Sequence, residues 1–378
     1  MMHLYIHIPF CKQACHYCDF HFSTNLNRKT ELVEAIGAEL GLQREFLPGN
    51  TLETIYFGGG TPSLLTGPEL GGLMARIRAQ YAVAPDAEIT LEANPDDLAD
   101  ADKLAMLRQH VNRLSIGIQT FDEDSLRWMN RAHTAAEAEA CVDRARQAGF
   151  DNLSVDLIYG IPNRDPARWT DDLDRMLALD VPHLSAYALT IEPDTAFGRW
   201  TRSGKLTPAD DQLAAAQFDQ LVAGLTGAGY EHYEISNFAR PGRYARHNTA
   251  YWQRRPYLGV GPSAHSYTGT TRQFNVASNA RYLAAIGSGT VPATVEVLTP
   301  ADQVNEYLLT GLRTQWGCSV VELSGLLGSD FAAAQSRELT DLYATGWLER
   351  TDDTLRLTAA GKLFADRVAA SLFIDFDE

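Results

Sequence analysis

The chain has 378 residues, 45% of them hydrophobic and 21% charged, with a formal net charge of -16. This is the profile of a globular protein long enough for one barrel-sized domain and a smaller companion. So acidic a balance argues against broad attachment to nucleic acid, whose phosphates would repel it. No stretch reaches the ~20 apolar residues of a membrane span, and residues 1–10 lack the basic start of a secretory signal.

The first predicted strand, residues 3–8, leads into a loop carrying Cys11, Cys15 and Cys18, spaced C-x3-C-x2-C. Thiolates at this spacing are soft ligands that can share one metal centre. Three readings stand side by side. A cubane iron–sulfur cluster would leave one iron open to a substrate. A zinc ion would take His7, His16 or His21 as its fourth ligand. A disulfide plus a stray thiol is the third. Clustered free thiols suit a reducing cytoplasm. Cys141 and Cys318 read as small buried hydrophobes.

A helix is predicted over 30–46, with Leu32, Ile36 and Leu40 on one stripe. A strand at 54–57 ends in Gly58-Gly59-Gly60-Thr61-Pro62, and a helix follows over 69–81. A strand at 88–91 ends in Glu92-Ala93-Asn94-Pro95, and a helix covers 98–109. A strand at 113–118 ends in Gln119. A helix over 135–148 stops at Gly149. Strands at 153–158 and 184–189 complete six β-α repeats. Such alternation implies an α/β fold with a parallel sheet and helices outside it. Six units fall short of the eight in a closed barrel, so an open, partial (β/α)6 barrel is expected, with ligands at the C-terminal strand ends.

Those ends carry the candidate chemistry. The glycines of 58–60 allow close backbone approach. Glu92 is a carboxylate ending an apolar strand, and Gln119 an amide that can both donate and accept. Arg131 offers a guanidinium suited to a carboxylate. Asp156 lies inside an apolar strand, where an unpaired carboxylate is costly. Residues 190–300 are less regular. They contain His247-Asn248-Thr249-Ala250-Tyr251-Trp252, whose histidine and aromatics could ligate heme iron and stack on a porphyrin, or simply pack as an aromatic corner. Helices over 303–313, 319–327 and 331–345, then a hairpin of 347–350 and 354–357, give a winged-helix-like C-terminal domain. Too few basic residues sit there for a phosphate footprint. The expected division is a core at 1–190, a barrel extension at 191–299 and the C-terminal domain at 300–378.

The C-x3-C-x2-C loop after Y-I-H-I-P-F resembles the radical S-adenosylmethionine (radical SAM) superfamily. More closely, it resembles the branch holding oxygen-independent coproporphyrinogen III oxidases and heme chaperones. The resemblance implies the partial radical SAM barrel, with a [4Fe-4S] cluster on Cys11, Cys15 and Cys18. It also implies S-adenosylmethionine held by Tyr5, Gly59, Gly60, Thr61, Glu92, Gln119, Arg131 and Asp156. The open iron would bind the amino and carboxylate groups of S-adenosylmethionine, and an electron from the cluster would cleave its sulfonium to a 5′-deoxyadenosyl radical. H-N-x-x-Y-W resembles the heme motif of the chaperones, placing heme at His247, Asn248, Tyr251 and Trp252. The oxidases carry a further cysteine where this chain has Phe20, and a long arm before the first strand where only residues 1–4 precede Tyr5. Both departures favour a chaperone over a decarboxylating oxidase. The expected partners are heme, an electron donor for the cluster, apo-haemoproteins as acceptors, a second copy of the chain and, transiently, a membrane surface. The competing expectations are a porphyrinogen oxidase and a zinc-stabilised interaction module.

Overall fold

The computed structural model describes residues 2–374. Strands β1 (Met2–Ile8), β2 (Thr51–Gly59), β3 (Ala82–Ala93), β4 (Arg113–Gln119), β5 (Asn152–Tyr159) and β6 (His183–Ala188) pair in that order, all in parallel. Helices α1 (Lys29–Leu42), α2 (Gly67–Gln80), α3 (Ala101–Arg108), α4 (Glu123–Trp128), α5 (Ala135–Gln147) and α6 (Pro166–Ala178) lie in the connections. The expected partial barrel is therefore present. Helices α2 and α5 each begin with a reciprocal capping box, Thr66 with Glu69 and Thr134 with Glu137, which satisfies backbone N–H groups that the first turn leaves free.

Side-chain alternation divides each strand between two environments. On β1, Leu4, Ile6 and Ile8 are fully buried in the main hydrophobic core. Their neighbours His3, Tyr5 and His7 bond to other polar groups. On β3, Ile89, Leu91 and Ala93 join the core while Glu88 and Glu92 make polar contacts across the barrel. Runs that read as uniformly apolar are thus two-faced, and the inner face is polar.

The segment expected to be irregular instead extends the sheet at both edges. After α7 (Ala196–Arg202) and α8 (Asp211–Gly227), strands β7 (Glu231–Glu234) and β8 (Asn237–Ala239) join antiparallel beside β6. Helix α9 (Arg246–Trp252) follows, and then β9 (Tyr257–Val260) pairs in parallel with β1 as a seventh parallel strand. Strands β10 (His265–Tyr267) and β11 (Thr271–Asn275), helix α10 (Asn279–Gly287) and strand β12 (Ala293–Val297) complete that edge, giving a twelve-stranded sheet. One buried carboxylate staples this edge to α1. Glu39 accepts hydrogen bonds from Gln43 Nε2 (2.8 Å), Gly261 N (2.7 Å), Asn275 Nδ2 (2.6 Å) and the Tyr282 hydroxyl.

The C-terminal region has its own three-stranded sheet and its own core, which includes Val304, Leu308, Leu323, Phe331 and Leu355. Its elements are α11 (Pro300–Gly311), β13 (Cys318–Ser319), α12 (Val320–Leu327), α13 (Phe331–Ala334), α14 (Ser336–Ala344), β14 (Leu348–Thr351), β15 (Thr354–Leu357) and α15 (Ala365–Ser371). The predicted hairpin is present, while the single helix expected over 331–345 breaks at Gln335, whose backbone leaves the helical region. Residues 375–378, the end of the expected 300–378 span, lie outside the described residues. Cys141 and Cys318 are both fully buried.

Candidate functional site

The root of the cysteine loop is pinned by the glycine turn that ends β2. Gly60 N donates to Ile8 O (2.9 Å) and Thr61 N to Phe10 O (2.7 Å). A Cβ on Gly60 would lie 2.6 Å from Phe10 O, so only glycine allows this approach. Further along, Lys12 pairs with Asp96 (2.5 Å) and Asp97, Asn130 Nδ2 donates to Ala14 O (2.8 Å), and His16 N donates to Met129 O (3.0 Å). The far end is held by His7, whose Nε2–H donates to His21 O (2.9 Å); its Nδ1 then accepts from the Tyr5 hydroxyl (3.1 Å). Tyr5 is therefore a support for the loop through His7 and does not line the cavity described next.

Cys11, Cys15 and Cys18 are free thiols on one wall of a cavity of about 500 Å³. The other walls bring Gly59, Gly60 and Thr61 of the glycine turn together with Glu92, Gln119, Arg131 and Asp156. Burial pushes the Cys11 thiol up to about 11 and the Cys18 thiol up to about 12, with neighbouring thiols adding to both. Both stay protonated at neutral pH until a metal displaces the proton. No three His, Cys, Asp or Glu side chains among the described residues converge on a single-ion site. The three thiols, facing one cavity yet set apart, suit a cluster whose ligands bind separate irons better than they suit one zinc ion.

Glu92 sits deep in the wall. Its Oε1 accepts from the Tyr56 hydroxyl (2.8 Å) and its Oε2 from Gly59 N (3.1 Å). Burial, reinforced by the charge of Asp156, still pushes its carboxyl up to about 7. Burial likewise pushes Asp156 up to about 6, offset in part by the Ser185 hydroxyl and by Arg113 and Arg131, and its Oδ1 has no hydrogen-bond partner among the described residues. Two carboxyls that resist ionisation and face a cavity favour a cationic guest. Gln119 occupies the left-handed region (φ 69°), a conformation that is costly for a residue other than glycine and concentrates at functional sites. Arg131 does not reach into open space. Its Nη2 donates to Asn94 Oδ1 (2.6 Å) and Gly117 O (2.7 Å), its Nη1 lies 3.4 Å from both Cys15 Sγ and the Tyr17 hydroxyl, and its Nε is buried and unpartnered.

The sequence reading missed Tyr56, which holds Glu92, as well as Asn94 and Tyr17, which hold Arg131. Asn94 lies in the quoted E-A-N-P turn and was within reach; Tyr56 would have needed the inward alternation of β2.

The H-N-x-x-Y-W residues are elsewhere and require a correction. His247, on α9, is 1% exposed. Its Nδ1 bonds the Thr54 hydroxyl (2.6 Å), which also meets His3 Nδ1 (2.9 Å), and its Nε2 bonds the Tyr251 hydroxyl (2.8 Å). The first N–H groups of α9, Arg246 N and His247 N, donate to the Glu88 carboxylate (3.1 and 3.0 Å). His247 thus plugs the floor of the barrel, with its ring stacked on Tyr56 at 5.0 Å, and offers no free nitrogen to an iron. Trp252 faces the C-terminal domain, where the Arg313 guanidinium lies 5.4 Å from its ring. Asn248 is half-buried beside them. These four residues do not share the cysteine cavity.

The model of the radical SAM superfamily matches residues 5–176, and that of the HemN C-terminal domain matches residues 298–364. The "Heme chaperone HemW" of Bacillus subtilis (strain 168) is 34% identical over 97% of this chain and 98% of its own length. The protein of that name from Escherichia coli (strain K12) is 35% identical over 96% and 95%. Among solved structures, coproporphyrinogen III oxidase (HemN) from Escherichia coli, titled a radical SAM enzyme, superposes with a TM-score of 0.85 at 24% identity, covering 98% of this chain and 90% of that one. At that identity the likeness speaks for the fold alone.

Proposed function

We propose, from the premise that this chain belongs to the heme chaperone HemW family of the radical SAM superfamily, that it binds a [4Fe-4S] cluster, S-adenosylmethionine and heme and passes heme to apo-haemoproteins. The observation that carries the reading is the single cavity in which three free thiols face Glu92, Asp156, Gln119 and the glycine turn. Cys11, Cys15 and Cys18 would hold the cluster, which supplies an iron with an open coordination position and a source of single electrons. The acidic wall suits a cation, and S-adenosylmethionine carries both an ammonium and a sulfonium. Glu92, fixed by Tyr56 and Gly59, would accept the ammonium. Gln119 and Asp156 would orient the rest, and the Gly59–Thr61 backbone would lie along the methionine end. Arg131, tied to Asn94 and Gly117, fixes the Cys15 side of the loop against the strand ends.

No helix among the described residues is long and apolar enough to cross a membrane. A cytoplasmic setting, heme acceptors of the respiratory chain, an electron donor and a homodimer belong to this proposal.

The test is anaerobic reconstitution with iron and sulfide, followed by hemin titration and transfer to an apo-haemoprotein. Incubation with reductant, S-adenosylmethionine and coproporphyrinogen III gives the contrary outcome. Vinyl products would establish a porphyrinogen oxidase, and zinc without sulfide in protein purified without air would overturn the cluster.

A further inference from the structure

The cysteine loop has a second face. Beyond it lies an open groove of about 810 Å³, a size typical of ligand sites, which shares Cys15, Cys18 and Glu192 with the cavity on the inner side. We propose that heme is held in this outer groove, with His16 as an axial iron ligand, and not at the His247 motif. This inference rests on the heme-chaperone reading and names the site that such a function would use.

His16 is built as a ligand. Its backbone N–H donates to Met129 O (3.0 Å) and its carbonyl accepts from Phe197 N (2.9 Å), so the residue is fixed on both sides. The ring Nδ1 lies 2.8 Å from Trp128 O. A carbonyl only accepts, so Nδ1 carries the proton and the neutral ring leaves its lone pair on Nε2. That nitrogen has no hydrogen-bond partner among the described residues. A backbone carbonyl fixing one ring nitrogen is how proteins orient a histidine toward iron at the other. The contrast with His247, whose two nitrogens are both engaged in the interior, decides between the two histidines.

The groove also has walls and an anchor for a porphyrin. Trp200 meets the His16 ring edge-on at 4.8 Å. Phe22 lines the same space, and Phe20 stands 66% exposed at its rim. An exposed aromatic bordering a groove is apolar surface without a partner, which a flat macrocycle would cover. The Arg199 guanidinium donates to Asp194 O (2.8 Å) and makes no ion pair among the described residues, leaving donors for a propionate. Asp19 and Glu192 on the rim would repel a carboxylate. The propionates would therefore point to the Arg199 side. Because the groove shares Cys15 and Cys18 with the inner cavity, filling the cluster site fixes one wall of the heme site.

Full-length protein, reconstituted anaerobically, is titrated with hemin while the Soret band and the electron paramagnetic resonance spectrum of the heme are followed. H16A is expected to change the iron spin state and weaken binding about tenfold or more, with iron and sulfide of the cluster at wild-type levels. Added imidazole should restore the spectrum. R199E and W200A should each weaken hemin without altering its axial ligation. Y251F, which removes the partner of His247 Nε2, should leave the spectrum as in the wild type. An unchanged spectrum and affinity in H16A with an intact cluster overturns the proposal, as does a Y251F spectrum that has lost a histidine ligand. Should H16A also lose its cluster, wild-type hemin affinity in both R199E and W200A is equally fatal. A wild-type protein that binds no hemin refutes the heme-chaperone reading itself, a different failure.

Discussion

Glu92→Gln separates what the fold wants from what the site wants. The Glu92 carboxyl is pushed by burial, and by Asp156 beside it, from an ordinary 4.5 to about 7. A carboxyl whose folded value lies above its unfolded one favours folding at acid pH, and that advantage is lost as pH rises from 4.5 through 7. Above 7 the ionised group costs the empty protein about 3 kcal/mol. Glutamine is never charged. The variant should therefore gain on the wild type by about 2 kcal/mol between pH 5.5 and pH 8, on top of a pH-independent offset from its altered bonds to Tyr56 and Gly59. Binding should move the other way. Loss of a charge-assisted bond to an ammonium is worth about 1.5–3 kcal/mol, or roughly 10–150-fold in Kd for S-adenosylmethionine. Chemical denaturation of the cluster-free protein at the two pH values, with anaerobic calorimetry of the reconstituted protein, measures both. A stability difference that does not change with pH would refute the burial argument, and an unchanged Kd would remove Glu92 from the site.

Three further outcomes follow from the same geometry. Cys15→Ala should abolish bound iron and sulfide on reconstitution while leaving the circular dichroism of the empty protein unchanged; retained iron would break the cluster assignment. Gly60→Ala sets a Cβ against backbone atoms of Ile8 and Phe10, which cannot swing aside as a side chain can, and should cost about 1–3 kcal/mol and cluster occupancy together. Denaturation and iron analysis check both, and normal occupancy would contradict the pinning of the loop. Glu39→Ala leaves four buried donors without an acceptor and should destabilise by about 3–5 kcal/mol, read by urea denaturation, whereas Glu39→Gln should cost less; equal costs would count against the staple.

The frame of the barrel was legible because each β-α unit carries its own punctuation, such as Gly149 after α5 or Pro95 after β3. The strand-end residues were legible for the same reason, since a parallel sheet sends them to one rim. Helix α6 was missed although Asp165 and Pro166 mark its start: Asp165 accepts from Ala167 N, and proline opens the first turn. Strands β7 to β12 were missed because most are short and their pairing is set by distant partners. Tyr257 answers to His3 across the sheet, a match with no local signature. The heme assignment failed on burial. A histidine near aromatics reads alike whether it faces a ligand or a floor, and only the Thr54 and Tyr251 bonds distinguish them. His16 was weighed as a zinc ligand from its place in the loop, but its free Nε2 depends on Trp128 O, more than a hundred residues away.

That β9 flanks β1 bears on the order of assembly at the ribosome. The strand that emerges first stays open along one edge until residues 257–260 have been made, so the sulfur-bearing loop it supports cannot reach its final setting early in translation. Pairings so distant along the chain form slowly and late. The inorganic core must then be loaded into a finished scaffold, and a nascent chain stalled before β9 would expose an unpaired strand edge beside reactive thiols.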